Sequence, residues 1–177
     1  EQEIFKIDSY TNLVLQYLRL ESFHDDLVLR QVHIEDLVKE ILRKYALFFI
    51  QKGLSINLHD LDRSIVTDKK WLLVVIEQIL SNSLKYTNAG GIEVYMDGQE
   101  LCIKDTGIGI KNSDRLRVFE RGFSGYNGRM TQQSSGLGLY LTQKISQELG
   151  HQIRIESELG QGTTVRIKFS EVNLLIE

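Results

Sequence analysis

The positions of glycine constrain this chain more than any other feature of its sequence. Of its 14 glycines, only Gly53 lies within the first 89 residues, whereas ten lie between Gly90 and Gly138, and there is no proline. Glycine and proline interrupt regular secondary structure. We therefore expect long uninterrupted elements before residue 89 and short elements separated by loops after it.

Composition describes an ordinary globular chain. Its 177 residues suffice for one domain and an appended element, with 42% hydrophobic and 25% charged residues. A net charge of −3 provides no basic surface for nucleic acid. We find no apolar run of about 18 residues and no signal peptide, which predicts a cytosolic segment. The single Cys102 cannot form an internal disulfide, so we expect it to pack in the core.

Apolar residues at steps of three and four predict three helices in the first half. They cover residues 4–21, residues 34–51 with Gly53 as the stop, and residues 68–86 with Asp68 as an N-cap or first-turn acid. An extended connector is expected at residues 28–34. The apolar stripe of the first helix comprises Ile7, Tyr10, Leu13, Val14, Tyr17 and Leu18, and that of the second comprises Leu37, Val38, Ile41, Leu42, Tyr45 and Phe49.

Alternating apolar and polar residues predict the strands. A hairpin turns at Asp97 and Gly98, the strongest of the strand signals. The predicted strands cover residues 54–58, 65–66, 92–96, 99–104, 152–157 and 163–169. Two further helices are predicted at residues 111–120 and from residues 136–139 to Leu149, the latter ended by Gly150.

A polar strip interrupts the third helix. With Asn82 at zero on a wheel of 100° per residue, Gln78, Lys85 and Tyr86 lie within about 60° of it. Its neighbours Leu72, Ile76, Ile79 and Leu80 turn toward the core. A solvated face would also place polar residues together, but it seldom sets a single Asn among so many apolar residues. The strip therefore indicates a binding surface.

A carboxylate and two glycines follow the second strand of the hairpin. The apolar run ends at Asp105, and Gly107 and Gly109 come next. A carboxylate fixed there can accept a hydrogen bond from an amino group, and glycines let a flat ring approach the backbone. By itself this pattern also suits an ordinary hairpin turn. A glycine-rich helix start at residues 136–139 adds unpaired N–H groups that favour phosphate, with Ser134 or Ser135 as a possible cap.

Taken together and in this order, these motifs resemble the ATP-binding catalytic domain of sensor histidine kinases, a branch of the GHKL (HATPase_c) ATPase superfamily. The resemblance covers about residues 52–170. It implies an α+β fold, a two-layer sandwich of the Bergerat type in which a mixed sheet carries helices on one face. It also implies ATP and Mg²⁺ as cofactors.

The resemblance assigns a role to each motif. Asn82 is implied to bind Mg²⁺, for which an amide oxygen is suited, and Lys85 to meet phosphate as a mobile point charge. These two are the implied catalytic residues. Tyr86 is implied to pack near the adenine, and Asp105 is implied to accept a hydrogen bond from the adenine amino group. The other implied ATP-binding residues are Gly107, Gly109, Ile110, Phe119, Gly136, Leu137, Gly138, Leu139 and Thr163.

Residues 122–135 are small and polar, and the resemblance makes them an ATP lid with Arg121 or Arg129 as a phosphate contact. More narrowly, residues 119–125 and 127–129 resemble sensor kinases of Gram-positive bacteria that respond to peptide antibiotics with a partner ABC transporter. Such kinases imply a homodimer through hairpin helices, a response regulator receiver domain as phosphoryl acceptor, and a cytoplasmic location in a membrane-anchored parent.

The resemblance divides the chain at residue 30. Residues 1–30 become the second helix of a dimerisation hairpin, truncated at its start, with a connector, and residues 31–177 the catalytic domain. The alternative is that the first helix packs on its own domain. His24 precedes Asp25, as the phosphoacceptor histidine of this family precedes an acidic residue. However, His24 lies after the helix instead of within it, and position 29, where the family usually has proline or threonine, is leucine. We expect the acceptor before Glu1, and structural or surface roles for His33, His59 and His151.

One position separates a kinase from a hydrolase within this superfamily. The hydrolases carry a glutamate as general base four residues before the Mg²⁺ asparagine, and here that residue is Gln78, which cannot serve. Glu77 lies about 140° from Asn82 around the helix. Phosphoryl transfer to histidine is therefore favoured. The alternative is a nucleotide-binding regulatory module or a protein-serine kinase of the same fold.

Overall fold

The computed structural model describes residues 2–123 and 136–170, with the side chains of residues 1–10 and of residue 26 left aside. Its helices are α1 (Gln2–Arg19), α2 (Ile34–Lys52), α3 (Lys69–Tyr86), α4 (Asn112–Arg115) and α5 (Gly138–Glu148), and a 3₁₀ segment (Leu20–Asp26) follows α1. Its strands are β1 (Arg30–His33), β2 (Ser55–His59), β3 (Ser64–Thr67), β4 (Gly91–Asp97), β5 (Glu100–Asp105), β6 (Gln152–Glu158) and β7 (Gly162–Lys168).

Five strands form one mixed sheet in the order β2-β4-β5-β7-β6. Only the β2–β4 pair is parallel, and the other pairs are antiparallel. Side chains alternate between the two faces of a strand. One face buries apolar residues against α2, α3 and α5, and the other carries charged ones such as Glu93, Lys104 and Arg166. The predicted two-layer α+β architecture is confirmed, with helices on one face.

Two helix boundaries follow the signals in the sequence. Gly53 ends α2 in a left-handed conformation (φ 62°) and donates its N–H to the Ile50 carbonyl at 3.1 Å. Asp68 begins α3 by accepting the backbone N–H of Trp71 at 3.1 Å. The second carboxylate oxygen of Asp68 accepts the backbone N–H of Val28 at 2.8 Å, which ties the connector after α1 to the start of α3.

Three local predictions are wrong in part. The helix predicted over residues 111–120 is confined to Asn112–Arg115, because Val118 is buried while Leu116 is 88% exposed, so no single apolar stripe sustains a longer helix. The connector at residues 28–34 contains strand β1, which pairs with β3. Helix α5 begins at Gly138 instead of residue 136.

Helix α1 and the 3₁₀ segment lie against the domain. Leu13 belongs to the core, and the Phe23 ring, 2% exposed, lies 4.9 Å from the Trp71 ring of α3. Tyr17 lies 6.2 Å from Tyr140 on α5. Leu18, predicted to belong to the apolar stripe of this helix, is 58% exposed, because the stripe that packs is narrower than the one in the sequence. The division of the chain at residue 30 stays a prediction.

The histidines outside α1 contact protein groups. His33 lies near Asp36 and Asp62, and His59 near Asp60 and Glu93. His151 is buried and lies 3.0 Å from the Thr67 hydroxyl. His24 pairs with Glu148 at 3.1 Å. In residues 2–123 and 136–170 no helix combines the length and apolarity of a membrane span.

Burial lowers the pKa of His151 to about 4. Its Nδ1 accepts the backbone N–H of Ser170 at 3.2 Å, so the neutral ring carries its proton on Nε2 and donates it to Thr67. Between pH 6.5 and pH 4 the unfolded chain takes up a proton that the folded chain refuses. The free energy of unfolding therefore decreases as the pH is lowered. We expect His151 to account for about 2 kcal/mol of that decrease between pH 7 and pH 5.

Urea unfolding at several pH values measures this contribution. The variant His151→Gln should show a shallower pH dependence than wild type, by about the same 2 kcal/mol over that interval. Gln161→Ala, which replaces an exposed side chain that does not titrate, serves as the control and should keep the wild-type slope. Equal slopes for wild type and His151→Gln would mean that His151 takes up a proton equally well in both states.

Cys102 is buried, as predicted, although it lies on the charged face of the sheet. The guanidinium of Arg166 covers it at 3.2 Å from Sγ. Burial raises the pKa of this thiol, so it remains protonated at neutral pH.

Candidate functional site

Asp105 ends strand β5 and is a buried carboxylate, only 6% exposed. Its Oδ1 accepts the backbone N–H groups of Gly107 at 2.9 Å and Thr163 at 3.1 Å. Its Oδ2 accepts the hydroxyl of Ser83 on α3 at 3.0 Å. Two donors saturate Oδ1, whereas Oδ2 keeps one lone pair for a donor on a ligand.

Burial raises the pKa of Asp105, and the hydrogen bonds from Gly107, Ser83 and Thr163 oppose that rise. Each of these donors favours the ionised carboxylate over the protonated acid. The arrangement thus keeps a negative acceptor at a site from which most water is excluded. A neutral amino group is a suitable ligand, because it supplies a donor without adding a second charge.

Three glycines allow the backbone to close around this carboxylate. A Cβ on Gly107 would lie 2.6 Å from the carbonyl oxygen of Tyr86, and one on Gly162 would lie 2.0 Å from that of Asp105. Gly109, at φ +67°, approaches the Glu158 carbonyl so closely that a Cβ would lie 1.9 Å from its oxygen. No other residue fits these positions. The turn at Gly107 and Gly109, which the resemblance assigns to ATP binding, is therefore tightly packed.

Helix α3 and the start of α5 form the second half of the site. A Cβ on Gly138 would lie 3.0 Å from Oε1 of Gln78 and 4.0 Å from Nδ2 of Asn82, so the first turn of α5 faces the polar strip of α3. The first N–H groups of a helix have no partner within the helix and lie at its positive end. An anion between Asn82 and Gly138 would meet both.

Lys85 and Tyr86 connect the two halves. The Lys85 ammonium lies 5.1 Å from the centre of the Tyr86 ring, and the Tyr86 carbonyl accepts the N–H of Ile108 at 3.1 Å. The last turn of α3 is thereby attached to the loop after Asp105. The polar strip, the carboxylate and the glycine turn predicted separately from the sequence are brought together at one end of the sheet.

Glu77 is directed away from this site. It accepts a hydrogen bond from the Lys44 ammonium at 2.5 Å and from the Tyr45 hydroxyl at 3.0 Å, both on α2. Burial and this carboxylate raise the pKa of Tyr45. The geometry agrees with the helical wheel, on which Glu77 points away from Asn82, and leaves Gln78 as the side chain of this pair that faces α5.

Lys52 holds the end of α3 from the neighbouring helix. Its ammonium donates to the carbonyls of Leu84 at 2.5 Å and Thr87 at 2.9 Å. A cation there binds the unpaired carbonyls of the last turn and complements the helix dipole. We expect Lys52→Met to lower the free energy of unfolding by about 1 kcal/mol in urea titrations, since a charged hydrogen bond is lost.

The same substitution is expected to weaken nucleotide binding by a few-fold, because Lys85 and Tyr86 lie in the turn that Lys52 secures. Lys168→Met, at an exposed position in β7, serves as the matched control and should change neither property. Equal unfolding curves for Lys52→Met and wild type would show that solvent replaces the ammonium at no cost.

The remaining implied residues lie around this centre. Phe119 is half-buried in the turn after α4, and Leu137 and Leu139 are half-buried at the start of α5. The Gly136 carbonyl accepts the N–H of Gly122 at 3.0 Å, so the two ends of the implied lid meet. The Arg121 guanidinium lies 5.1 Å from the Tyr17 ring. Arg129, Ser134 and Ser135 lie outside the described residues.

Two serines that the sequence analysis missed organise the site. The Ser83 hydroxyl donates a hydrogen bond to Asp105. The Ser157 hydroxyl accepts a hydrogen bond from the Ile110 N–H at 2.9 Å and donates one to the Gly162 carbonyl at 2.8 Å. The Thr163 hydroxyl lies 2.8 Å from that of Ser157. The sequence carries a signal for Ser83, because it is a small polar residue on the buried side of an apolar helix. No feature of the sequence points to Ser157.

Comparison with known proteins identifies the family. Residues 67–173 match the family described as histidine kinase-, DNA gyrase B- and HSP90-like ATPases. The chain belongs to this family. The match begins just before α3 and extends past β7, so it contains the whole site described above. ATP is the nucleotide of these ATPases.

Two relatives with which the chain aligns over nearly its full length are sensor kinases. The chain is 34% identical to the sensor histidine kinase YxdK of Bacillus subtilis, covering 96% of the chain and 54% of that protein. It is 35% identical to the sensor protein kinase GraS of Staphylococcus aureus (strain JH1), covering 97% of the chain and 51% of that protein. The chain thus spans about half the length of these relatives. Both come from Gram-positive bacteria, as the resemblance of residues 119–129 predicts.

Solved structures show the same fold. Full-length ShkA in complex with AMPPNP superposes with a TM-score of 0.74 at 27% identity, covering 90% of this chain and 34% of that one. The Acinetobacter baumannii histidine kinase AdeS superposes with a TM-score of 0.75 at 20% identity, covering 97% of this chain and 82% of that one.

Proposed function

We propose that this chain is the catalytic part of a sensor histidine kinase. In this proposal it binds Mg-ATP and transfers the γ-phosphoryl group to a histidine outside residues 1–177. The observation that carries the proposal is Asp105, a buried carboxylate whose Oδ1 is saturated by Gly107 and Thr163 and whose Oδ2 keeps a lone pair. In this proposal Oδ2 accepts a hydrogen bond from the exocyclic amino group of adenine.

The phosphates extend from Asp105 toward α5 in this proposal. Gly136, Leu137, Gly138 and Leu139 present backbone N–H groups at the start of α5, and Lys85 supplies a positive charge. Tyr86 packs against the adenine, over a floor formed by Gly107, Gly109 and Ile110. Phe119 and Thr163 close the pocket. The closeness of Gly138 to the polar strip of α3 supports this direction.

Asn82 is the proposed Mg²⁺ ligand. Among residues 2–123 and 136–170 no cluster of three or more His, Cys, Asp or Glu side chains is suited to a metal ion. A single amide oxygen facing a phosphate site fits Mg²⁺, which keeps several waters and takes its other ligands from phosphate oxygens. When bound, the ion neutralises charge on the phosphates. Asn82 orients it and Lys85 contacts the phosphates.

Transfer to histidine is favoured over hydrolysis by the positions of two neighbouring side chains. In the reaction the bond from the γ-phosphorus to the ADP oxygen breaks, and a phosphorus–nitrogen bond to imidazole forms. Hydrolysis instead needs a base to take a proton from water. Gln78 faces the site and cannot accept that proton usefully, while Glu77 is held by Lys44 and Tyr45.

The whole-protein context forms part of the proposal. Residues 1–30 are assigned to a dimerisation hairpin and its connector, through which the parent forms a homodimer, and residues 31–177 to the catalytic domain. A response regulator receiver domain takes the phosphoryl group onward. The relatives YxdK and GraS, each about twice as long as this chain, support a membrane-anchored parent with this domain in the cytoplasm. An ABC transporter is the proposed sensory partner.

Labelling with γ-phosphate-labelled ATP tests the reaction. The full-length parent should acquire phosphate that acid releases and base does not, as expected for phosphohistidine. This chain alone should bind ATP without becoming labelled, and robust labelling of it would contradict the assignment of the acceptor outside residues 1–177. Acid-stable phosphate on the parent would instead support the second candidate, a protein-serine kinase or regulatory module of the same fold.

A further inference from the structure

The two edges of the five-stranded sheet differ in how they are protected. An exposed edge presents unpaired backbone groups, which proteins usually guard with charged side chains. Strand β6 at one edge carries Arg154, Glu156 and Glu158. Strand β2 at the other edge has the sequence Ser-Ile-Asn-Leu-His, with no lysine, arginine or acidic residue. The β2 edge is therefore open to another strand.

The pairing of β2 with β4 defines which of its backbone groups face outward. Ser55 donates its N–H to the Gly90 carbonyl at 3.0 Å, so the backbone of this residue points toward β4. Along a parallel pair every second residue does the same. Ile56 and Leu58 between them direct their N–H and C=O groups to the free edge, and an added strand would bond to these groups.

A groove lies beside this edge, between α2 and β2. Its volume is about 540 Å³, and its walls are mainly apolar side chains of α2 with Leu54 and Ile56 of the strand segment. The α2 side chains concerned are Leu42, Ala46, Phe49 and Ile50. Ile50 is 73% exposed. Exposed apolar residues gathered beside an unpaired strand indicate a surface that binds a partner.

We propose that β2 and this groove bind an extended peptide segment of a partner protein, which adds to the sheet as a sixth strand. The backbone of the peptide bonds to Ile56 and Leu58. Every second side chain of the peptide points to the helix side of the sheet and enters the groove, so these side chains are apolar. This binding mode is independent of the ATP site.

The charge around the groove specifies the partner further. Arg43 and Lys39 of α2 line it, with Lys39 also paired with Glu35 at 2.7 Å, and no acidic residue belongs to the lining. Gly53 ends α2 just before β2, and Arg43 and Lys39 lie about three and four helical turns before that glycine. The peptide therefore carries acidic residues next to its apolar ones. A helical ligand would fill the groove but leave the outward groups of Ile56 and Leu58 unpaired.

Fluorescence polarisation with a labelled synthetic peptide tests the proposal. The probe TVTVTVDE carries three apolar residues at alternate positions and an acidic end. A second probe has the same sequence with N-methyl groups on its alternate amides, which removes the hydrogen bonds of one peptide edge. We expect the first probe to bind and the methylated probe to bind at least about tenfold more weakly.

Protein variants locate the binding site. Ile56→Lys places a charge on the open edge and should abolish binding, whereas Leu47→Lys, at an exposed α2 position outside the groove lining, should leave it unchanged. Arg43→Glu should weaken binding of TVTVTVDE and strengthen that of TVTVTVKK. Circular dichroism and ATP binding confirm that each variant folds.

Three results would overturn the proposal. One is the absence of binding by wild type at about 1 mM probe. Another is equal binding of the methylated and unmethylated probes, which would indicate a helical or non-specific apolar ligand. The third is self-association of the protein that Ile56→Lys abolishes, since the occupant would then be the β2 edge of a second copy.

Discussion

Replacing Asp105 by asparagine is expected to weaken ATP binding by about a hundredfold or more. The carbonyl oxygen of asparagine would take the place of Oδ1, because the N–H groups of Gly107 and Thr163 both require an acceptor there. Its amide nitrogen would then replace Oδ2 and direct a donor at the adenine amino group, which is also a donor. Two donors facing each other in a buried site cost the hydrogen bond and the desolvation of both.

Calorimetric titration with a non-hydrolysable ATP analogue measures this effect. The fold should be retained, since asparagine removes a buried charge and Ser83 can rotate its hydroxyl to accept. GTP offers an oxygen where ATP has an amino group, so we expect Asp105→Asn to bind GTP better than wild type does. Asp97→Asn, in the turn of the same hairpin, should leave both nucleotides unaffected. An affinity for ATP within about twofold of wild type would exclude Asp105 as the adenine contact.

Replacing Gly109 by alanine is expected to lower the free energy of unfolding by about 3 kcal/mol or more and to abolish ATP binding. The new Cβ would lie 1.9 Å from the Glu158 carbonyl oxygen and 2.7 Å from its carbon, and backbone atoms cannot yield as a flexible side chain does. The loop would have to move away from residues 158–160. That movement would break the bond from Gly160 N–H to the Ile108 carbonyl at 2.8 Å.

Gly98→Ala separates this close approach from conformational strain alone. Gly98 has φ +60°, close to the +67° of Gly109, but no described atom lies within 4 Å of a Cβ built there. Its cost should be about 1 kcal/mol, the usual penalty for a left-handed alanine. Urea unfolding of both variants beside wild type gives the comparison. If the two substitutions cost the same, contact with Glu158 contributes nothing and the turn adapts to a side chain.

Much of the fold was predictable because local signals and tertiary packing agree. Gly53 and Asp68 end and begin their helices as their side chains predict, and the Asp97-Gly98 turn sets the β4–β5 hairpin. The polar strip around Asn82 could be located because helical geometry alone places Gln78, Lys85 and Tyr86 beside it. Asp105 was recognised from the glycines that follow it.

The contacts that complete the site could not be predicted, since they join segments far apart in the chain. Ser157 supports Ile110 across 47 positions, and Thr163 donates to Asp105 across 58. Nothing in the alternating sequence of β6 distinguishes Ser157 from a solvated serine. Strand β1 was missed for the same reason, because its hydrogen bonds come from β3 more than 30 residues later.

Tyr17 of α1 contacts both sides of the nucleotide site at once, with Arg121 beside the implied lid and Tyr140 in the first turn of α5. Two binding events that share such residues are thermodynamically linked, and the linkage is reciprocal. A nucleotide that shifts the first turn of α5 must change the free energy with which α1 is held. Displacement of α1 must in turn change the affinity for nucleotide by the same factor. Any such shift would couple the packing of α1 to nucleotide affinity in both directions.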